Sequence, residues 1–434
     1  MKKIVILGGG ISGYGSAILA KKEGFDVFLS DKGHLAERYV ALLREWGVEF
    51  EQGGHSVERI MAADEVIKSP GIPDSAELVC ALRAQGTPVI SEIEFAGRYL
   101  RGARTICITG SNGKTTTTSL VYRILCEAGY RVALGGNIGE SFAYSVATRE
   151  VDWYVLEISS FQLDGMFDFR ADISVLMNIT PDHLDRYGYK FENYAASKMR
   201  IVRNQGADDS FVYLASDATI AAAVERGVGG VGLLPFDASL IDEEGVITLP
   251  DGLRLECDRM QIKGLHNNYN AMAAAMAARA AGVSQTQIQH SIYAFSPVEH
   301  RLEPAGEIDG VAYINDSKAT NVDSVWYALE SLTRPAVWIA GGTDKGNDYE
   351  PLKAFAAAKV HTLVCMGVDN GALECAFSGV VPTIISTSSL AEAMAAARGA
   401  AHRGDVVILS PACASFDLFN NYEHRGEMFK EWVK

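Results

Sequence analysis

The chain alternates short continuous runs of apolar residues with longer stretches that have helical patterns. Short apolar runs bounded by glycine or polar residues predict buried strands. Strands are predicted at Ile4–Leu7, Val27–Ser30, Glu65–Ser69, Val89–Ser91, Thr105–Thr109, Trp153–Ile158, Ile173–Asn178, Val311–Asn315, Ala336–Ala340, Thr362–Met366 and Val406–Leu409. Helices are predicted at Ile11–Glu23, Thr115–Ala128 and Asn267–Ala281.

This alternation predicts parallel sheets joined by crossover helices, which is an α/β fold. The pattern restarts twice, so we expect three domains, at residues 1–93, 94–298 and 299–434. Ligands of such sheets bind at the carboxyl ends of the strands. We therefore expect the catalytic and ligand-binding residues in the loops that follow the predicted strands.

Composition and charge narrow the functional classes. The 434 residues carry a formal net charge of −15, which argues against general nucleic-acid binding and against adhesion to anionic membranes. The seven cysteines form no Cys-x-x-Cys cluster, which favours reduced thiols over a disulfide framework or a zinc site. No signal peptide or membrane-spanning segment is predicted, so we expect a cytoplasmic protein.

The first glycine turn, Gly8–Gly13, matches Gly-x-Gly-x-x-Gly between a predicted strand and a predicted helix, and Asp31 ends the next strand. Glycines permit the tight turn, and the helix N-terminus can face a phosphate. NAD or FAD binding, another nucleotide such as a UDP-sugar, and a tight turn without a ligand all fit this motif.

The second glycine turn, Thr109–Thr116, contains Gly-Lys-Thr between a strand and a helix. In a phosphate-binding loop the backbone N–H groups hold phosphates, Lys114 reaches the terminal ones and the Thr115 hydroxyl ligates Mg²⁺. Ile108 stands where the usual first glycine would fall, so this is a variant loop. The alternative is an incidental turn with an exposed lysine.

Each of the other candidate site residues gives a weaker signal when it is taken alone. Glu157 ends a predicted strand and His183 follows another, and together they could hold a divalent cation beside phosphates. Asn270 lies at the start of an Ala-rich helix, where asparagine is either a helix cap or a contact to a purine. In the third predicted domain, four polar segments lie next to predicted strands. Residues 300–303 precede a strand, and residues 315–321, 341–346 and 410–415 each follow one.

Taken together, these segments resemble the Mur ligase family over essentially the whole chain. The matching positions are the Thr109–Thr116 loop, Glu157, His183, Lys198, the His266–Asn270 helix start and the Asp316–Asn321 segment. The stretch 410–426 is similar to that of the D-glutamate-adding members. No Asp-Asn-Pro-Arg motif of the diaminopimelate-adding relatives is present.

The resemblance implies a Rossmann-like first domain, a central P-loop-type ATP-binding domain with a mostly parallel sheet, and a Rossmann-like third domain. It implies UDP-substrate contacts at Ser12, Asp31, Lys32, Gly71, Asn137, Ser159 and Gln162. It implies ATP contacts at Gly110, Ser111, Asn112, Gly113, Lys114, Thr115, Thr116, Asn270, Arg301, Asp316 and Lys318. It implies amino-acid contacts at Thr320, Lys345, Ser415 and Tyr422, where the family more often has Phe at the last position.

It also implies four catalytic residues, Lys114, Glu157, His183 and Lys198. Thr115, Glu157, His183 and a carbamate on Lys198 would surround two Mg²⁺ ions, although Lys198 could instead be an unmodified lysine facing a phosphate. The expected reaction joins D-glutamate to UDP-N-acetylmuramoyl-L-alanine through an acyl phosphate, in a monomeric enzyme of peptidoglycan precursor synthesis.

Three alternatives remain at this point. One is a related amide ligase, such as another Mur member or a folylpolyglutamate-synthetase-like enzyme. The second is a nicotinamide-dependent oxidoreductase, which rests on Gly8–Gly13 alone. The third is a nucleotide sensor that binds ATP without turning it over.

Overall fold

The computed structural model of the protein describes residues 1–296, 299–344 and 346–434. By its internal contacts the chain separates into two compact units. The larger unit comprises Met1–Met260 and Asn267–Ala294, and the smaller unit comprises Gln261–His266 and Phe295–Lys434. No helix in the described part of the chain is both long and apolar enough to cross a membrane.

The first sheet of the larger unit has five parallel strands in the order β3-β2-β1-β4-β5. Its strands are β1 Lys3–Leu7, β2 Asp26–Asp31, β3 Glu49–Gln52, β4 Glu65–Lys68 and β5 Val89–Ile90. Its helices are α1 Ile11–Lys22, α2 Glu37–Glu45, α3 Val57–Met61, α4 Glu77–Ala84 and α5 Glu92–Gly97. The central strand β1 is apolar on both faces because helices cover both sides of the sheet.

The second sheet has six parallel strands in the order β11-β10-β9-β6-β8-β7. Its strands are β6 Arg104–Thr109, β7 Val132–Gly136, β8 Trp153–Glu157, β9 Ile173–Leu176, β10 Ser210–Leu214 and β11 Gly232–Phe236, and a hairpin follows with β12 Val246–Thr248 and β13 Arg254–Glu256. The helices of this stretch are α6 Lys114–Glu127, α7 Phe142–Thr148, α8 Ser160–Leu163, α9 Phe191–Met199, α10 Ala218–Arg226, α11 Leu265–Ala280 and α12 Gln285–Tyr293.

The smaller unit is built on the third sheet, in the order β14-β15-β19-β16-β17-β18. Strand β14 is antiparallel to β15, and the remaining neighbours are parallel. Its strands are β14 Glu303–Ile308, β15 Val311–Asn315, β16 Ala336–Ala340, β17 Val360–Met366, β18 Thr383–Thr387 and β19 Val406–Leu409. Its helices are α13 Val322–Ser331, α14 Lys353–Lys359, α15 Gly371–Phe377, α16 Leu390–Ala400 and α17 Tyr422–Val433.

The α/β class predicted from the sequence is confirmed, with three sheets that are parallel throughout or nearly so. The first two sheets share one hydrophobic core, to which Ile4, Phe95, Phe142 and Leu156 all contribute. This shared core is why they fall into one compact unit. The predicted domain boundaries at residues 93 and 298 remain predictions, and residue 298 lies outside the described residues.

Candidate active site

The loop between β6 and α6 has a backbone conformation that requires glycine at two positions. Gly110 and Gly113 have φ values of 148° and 82°, which residues with a side chain rarely adopt. A Cβ at Gly113 would lie 2.5 Å from Asn270 Oδ1, so a side chain has no room there. Lys114 opens α6, and its Nζ donates to the carbonyl oxygens of Gly110 and Ser111, at 2.7 Å each. The lysine therefore lies folded over its own loop.

The end of β9 holds this loop in place. The Ser111 N–H donates to the Asn178 carbonyl at 2.9 Å, and the Asn112 N–H donates to Asn178 Oδ1 at 2.8 Å. The Ser111 hydroxyl also donates to the Thr180 carbonyl at 2.9 Å. Asn178 was not a predicted site residue, although its position at the end of an apolar run was a usable signal. The backbone of the phosphate loop is thus fixed by the neighbouring strand.

Three predicted residues meet at the carboxyl end of β8. Glu157 is buried, with 1% of its surface exposed. Its Oε2 accepts a hydrogen bond from the Thr115 hydroxyl at 2.7 Å, and its Oε1 accepts one from Asn137 Nδ2 at 2.7 Å. A carboxylate and a hydroxyl in contact at the mouth of a phosphate loop are the oxygen ligands that Mg²⁺ prefers. The arrangement fits a magnesium ion next to a bound triphosphate.

Lys198 is buried beneath the same loop. It lies on α9, and its Nζ is 2.8 Å from the Gly110 carbonyl oxygen and 3.2 Å from Thr109 Oγ1. Burial lowers the pKa of Lys198 well below its usual value, and the nearby ammonium of Lys114 lowers it further. The charges of Asp182 and Glu157 oppose this shift without reversing it. Burial and the Lys114 charge therefore both favour the neutral form of this amine.

His183 lies on the loop after β9, in the left-handed region with φ 52°. Its Nε2 is 3.6 Å from Asp182 Oδ2, and its ring centroid lies 5.0 Å from that of Phe161. The side chain is 37% exposed, so it is accessible to a ligand from solvent. The carboxylate of Asp182, which was not a predicted site residue, is an acidic neighbour of this imidazole.

Two predicted substrate contacts also have a local structural role. The Ser159 hydroxyl accepts from the Gln162 N–H at 3.3 Å, and Gln162 Oε1 accepts from the Ser159 N–H at 2.9 Å. This reciprocal pair is a capping box at the start of α8. The sequence pattern Ser-x-x-Gln was a sufficient signal for the cap. The capping box explains why serine and glutamine occupy these two positions even without a ligand. Their contact to substrate remains a prediction.

The glycine turn of the first sheet is braced by Asp31. Its Oδ2 accepts from the Gly9 N–H at 2.6 Å and its Oδ1 accepts from the Gly33 N–H at 2.7 Å. A Cβ at Gly13 would lie 1.8 Å from the Gly8 carbonyl oxygen, so the helix can approach the strand only through glycine. Asp31 therefore fixes the shape of the turn in which Ser12 lies.

The other predicted contacts of this sheet have simpler surroundings. Lys32 and Gly71 are exposed. Beside Gly71, the buried amine of Lys68 donates to the Ile72 carbonyl at 2.7 Å, and burial lowers its pKa. Ser12 contributes to the hydrogen bonding of the buried Glu92, whose pKa is raised by burial. The loops after β2 and β4 thus have an exposed lysine and an exposed glycine at the carboxyl edge of the first sheet.

Asp316 in the smaller unit is a buried carboxyl that accepts hydrogen bonds from neutral groups. Its Oδ2 accepts from the Ser410 hydroxyl at 2.7 Å, and its Oδ1 accepts from the Leu302 N–H at 3.2 Å. Burial raises its pKa to about 7, and the Ser410 hydrogen bond and the charge of Arg301 limit that rise. Among the described residues, Arg301 Nε is buried without a hydrogen-bond partner. An anionic ligand would satisfy that donor.

Asn270 is buried in α11 within the larger unit. Its Oδ1 accepts from the Thr117 hydroxyl at 3.2 Å, and its Nδ2 donates to Asn267 Oδ1 at 2.9 Å. The first contact ties α11 to α6, directly behind the phosphate loop. His266 in the smaller unit has a buried Nδ1 without a partner in the described part of the chain, and burial lowers its pKa to about 4.

Arg425 ties three strand-end loops of the smaller unit together. This side chain is fully buried on α17. Its Nε donates to Ser317 Oγ at 3.0 Å, and its Nη2 donates to the carbonyl oxygens of Ser317 at 2.9 Å and Cys413 at 3.3 Å. Its Nη1 donates to the Gly341 carbonyl at 3.4 Å. These acceptors follow β15, β19 and β16, so one guanidinium fixes the relative positions of three loops.

Two of the predicted amino-acid contacts are close in sequence to groups that Arg425 holds, since Ser415 follows Cys413 and Tyr422 opens the helix that carries Arg425. Ser415 is buried, and Lys318 Nζ lies 5.1 Å from the centroid of the Tyr422 ring. The Tyr422 carbonyl accepts from the Ser317 hydroxyl at 2.8 Å, which fixes the start of α17 on the loop after β15. Thr320 lies farther along that loop and is partly buried. Lys345 lies outside the described residues.

Comparison with known proteins identifies the family of this chain. The model of the Mur ligase middle domain matches residues 108–278, that of the Mur ligase glutamate ligase domain matches residues 300–413, and that of the MurD N-terminal domain matches residues 3–78. The matches include the phosphate loop and the Asp316 segment. The chain belongs to the Mur ligase family.

Individual relatives share the full length of the chain. It is 49% identical over 445 residues to a UDP-N-acetylmuramoylalanine–D-glutamate ligase of Bacteroides fragilis, with 100% of both chains covered. It is 48% identical to a ligase of the same name from Christiangramia forsetii, covering 100% of this chain and 99% of the relative. The fold resembles that of MurF ligase from Thermotoga maritima in complex with ADP, with a TM-score of 0.60, 17% identity and coverage of 94% and 95%.

Proposed function

We propose that this chain joins D-glutamate to UDP-N-acetylmuramoyl-L-alanine, with ATP converted to ADP and phosphate. The observation that carries the proposal is the 49% identity over the full length to a D-glutamate ligase, combined with a phosphate loop whose Thr115 meets Glu157. Both nucleotide-linked reactants belong to the cytoplasm, where the chain acts as a monomer. The net charge of −15 argues against nucleic acid and anionic membranes as partners.

The reaction requires activation, because a carboxylate is a poor electrophile. A carboxylate oxygen of the muramoyl-alanine attacks the γ-phosphorus of ATP, the bond from that phosphorus to the bridging oxygen breaks, and ADP leaves. The D-glutamate amine then attacks the carbonyl carbon of the acyl phosphate. Phosphate leaves with the carbon–oxygen bond electrons, and the new amide nitrogen loses a proton. Such phosphoryl transfer depends mostly on positioning and on charge neutralisation.

The phosphate loop supplies the positioning. Gly110, Ser111, Asn112 and Gly113 form the loop assigned to the phosphates, in which the Ser111 and Asn112 N–H groups donate to Asn178 and hold its shape. Helix α6 starts at this point, so its dipole favours anions. Lys114, which folds over the loop carbonyls, can turn toward the terminal phosphates, while Thr116 continues the helix. In the smaller unit, Arg301 and Lys318 are assigned to phosphates and Asp316 to the ribose. Asn270 is assigned to the adenine side.

Two Mg²⁺ ions fit the oxygen-rich part of the site. Thr115 and Glu157 would hold one ion and His183 would help hold the second. Bound there, magnesium would neutralise the charge of the phosphates and of the attacking carboxylate. The buried Glu157 carboxylate supports this assignment, because a buried anion favours a cation beside it.

Lys198 is assigned as a carbamate that orients magnesium. Carbon dioxide adds to a neutral amine, and burial keeps this lysine amine deprotonated more readily than an exposed one. The carbamate replaces a positive charge, which would repel Mg²⁺, with a negative one. The alternative, a plain lysine facing a phosphate, predicts that carboxylates cannot replace it.

The contacts to the two other substrates are assigned to segments that follow strands of the three sheets. The UDP-linked substrate is assigned to Ser12 beside the glycine turn, to Asp31 and Lys32 at the end of β2, and to Gly71 after β4. Asn137, Ser159 and Gln162 are assigned to its muramoyl end, which must approach Glu157 for the reaction to occur. D-Glutamate is assigned to Thr320, Lys345, Ser415 and Tyr422. The Tyr422 hydroxyl, where the family more often has Phe, adds a polar group to that contact.

Phosphate release tests the proposal. The full-length protein is given ATP, Mg²⁺ and UDP-N-acetylmuramoyl-L-alanine, with D-glutamate, L-glutamate or other amino acids in parallel. Release with D-glutamate alone is expected. Release with another amino acid would retain the ligase chemistry and move the chain to a different member of the family. No release with any amino acid, together with tight NAD binding, would overturn the proposal.

A further inference from the structure

Three ligating side chains meet at the amino edge of the third sheet. Asp405 immediately precedes β19, His361 is the second residue of β17, and His402 lies in the turn after α16. The loops assigned to substrates follow the strands at the opposite, carboxyl edge. The cluster therefore belongs to no part of the proposed active site.

A β-bulge directs His361 into this cluster. In the pairing of β16 with β17, Ala336 faces Val360 and Val337 faces Thr362, so His361 is the extra residue. A bulge of this kind changes the direction in which a side chain points. On the other side of β16, Ala336 faces Val406, next to Asp405. The bulge thus brings an imidazole from one neighbouring strand toward a carboxylate from the other.

The distances within the cluster fit a metal ion. His361 Nε2 lies 3.1 Å from Asp405 Oδ2, and His402 Nδ1 lies 3.5 Å from the same oxygen. One nitrogen of each ring and a carboxylate oxygen all lie within 4.8 Å of one another. Tetrahedral Zn²⁺ with bonds of about 2.0–2.1 Å places its ligand atoms about 3.3 Å apart. The two short separations lie on either side of that value.

Neighbouring groups orient two of the ligands. The other ring nitrogen of His361, Nδ1, lies 3.0 Å from the hydroxyl oxygen of the buried Thr362. If this nitrogen carries the proton, Nε2 is free to bind a metal, which is the usual arrangement for a ligating histidine. Asp405 is 7% exposed, and its Oδ2 accepts from the His402 N–H at 2.7 Å. The His402 side chain is 81% exposed, which gives water and metal access.

A second cluster of similar composition makes a useful contrast. Glu299, His300 and Glu427 also lie close together, but the Lys430 ammonium is 2.9 Å from Glu427 Oε1 and 3.7 Å from Glu299 Oε1. That cluster already contains a cation. Within the described part of the chain, the ion pairs of Asp405 are with its two histidines.

We propose that His361, His402 and Asp405 bind one divalent transition-metal ion of the Zn²⁺ class, with water completing its coordination. Two imidazoles and one carboxylate favour zinc, nickel or copper over Mg²⁺, which prefers oxygen ligands. The ion links the start of β17 to the turn before β19. Its binding stabilises the smaller unit and does not require the ligase reaction.

Calorimetric titration with Zn²⁺ tests this site in the full-length protein. Excess Mg²⁺ and ADP are present to occupy the proposed active site. The wild type is expected to bind one more Zn²⁺ than His402→Ala, or to bind it at least about tenfold more tightly. His402 is exposed, so its replacement leaves the fold intact. His290→Ala, which changes an exposed histidine on α12, is the matched control and should bind Zn²⁺ like the wild type.

A second variant and a second readout separate this site from incidental binding. Asp405→Asn keeps the shape of the side chain and removes its charge, and it should weaken Zn²⁺ binding as His402→Ala does. Zn²⁺ should raise the melting temperature of the wild type and of His290→Ala, and should leave that of His402→Ala unchanged. Equal zinc stoichiometry and affinity in the wild type, His402→Ala and Asp405→Asn would overturn the proposal.

Discussion

Replacing Arg425 by methionine should loosen the amino-acid side of the site. Both residues form helices well and have long side chains, so α17 keeps its propensity and most of its packing. Burial lowers the pKa of Arg425 to about 10, so it remains a cation at neutral pH. Methionine removes all the hydrogen bonds that Arg425 donates to the loops after β15, β16 and β19.

The expected cost follows from the hydrogen bonds. The two short ones, to Ser317 Oγ at 3.0 Å and to the Ser317 carbonyl at 2.9 Å, involve a charged donor and contribute about 1.5–3 kcal/mol each. The two longer ones, at 3.3 and 3.4 Å, contribute less. Removing the buried charge recovers part of its desolvation cost. We expect a net loss of about 3 kcal/mol in the free energy of unfolding of the smaller unit.

Urea unfolding and steady-state kinetics measure the two consequences. The midpoint of the unfolding transition of the smaller unit should move to a lower urea concentration. The value of kcat/KM for D-glutamate should fall roughly 10- to 100-fold, because the loops lose their alignment. Arg425→Lys keeps the charge but not the planar guanidinium, so its stability and its kcat/KM should lie between those of the wild type and Arg425→Met. Arg398→Met, at an exposed arginine of α16, is the control. An unchanged transition and unchanged kinetics in Arg425→Met would refute the argument.

Three further predictions concern the remaining parts of the site. Thr115→Val removes the hydroxyl that donates to Glu157, so the dependence of the rate on Mg²⁺ should shift at least roughly tenfold to higher concentration, measured by phosphate release. Lys198→Ala should lower kcat roughly 10²-fold, and short carboxylates added to the assay should restore part of it, as expected of a carbamate. Asp316→Asn should change how stability depends on pH. The folded carboxyl has a pKa of about 7 against an ordinary 3.8, so the folded state holds its proton longer and stability falls as pH rises between these values. The wild type should lose about 4 kcal/mol relative to Asp316→Asn across that range, measured by urea unfolding at several pH values.

Each of these predictions has a clear contrary result, and the first also has a matched control variant. Thr148→Val, at an exposed threonine of α7, should leave the Mg²⁺ dependence unchanged, and an equal response of both variants would remove Thr115 from the metal site. Full activity of Lys198→Ala without added carboxylate would exclude the carbamate. Parallel pH profiles of the wild type and Asp316→Asn would mean that Asp316 does not titrate in this range.

Much of the fold could be predicted from local sequence. Central strands such as β1, β6 and β16 are continuous apolar runs because both faces of a parallel sheet are covered, and the predicted spans agree with the structure to within a few residues. Edge strands were harder. β3, Glu49–Gln52, is polar and partly exposed because the edge of a sheet buries less of each side chain.

The sequence by itself also determined where the glycine turns lie and predicted that they carry chemistry, because glycines and a Gly-Lys-Thr pattern impose a backbone shape locally. Only the tertiary structure brought Thr115 to Glu157 and joined three loops through Arg425, since these contacts link residues distant in the chain. It also decided the direction in which the pKa of Lys198 shifts, because that shift depends on burial and on neighbouring charges. The direction of His361 likewise depends on a bulge between paired strands, which no single strand specifies alone.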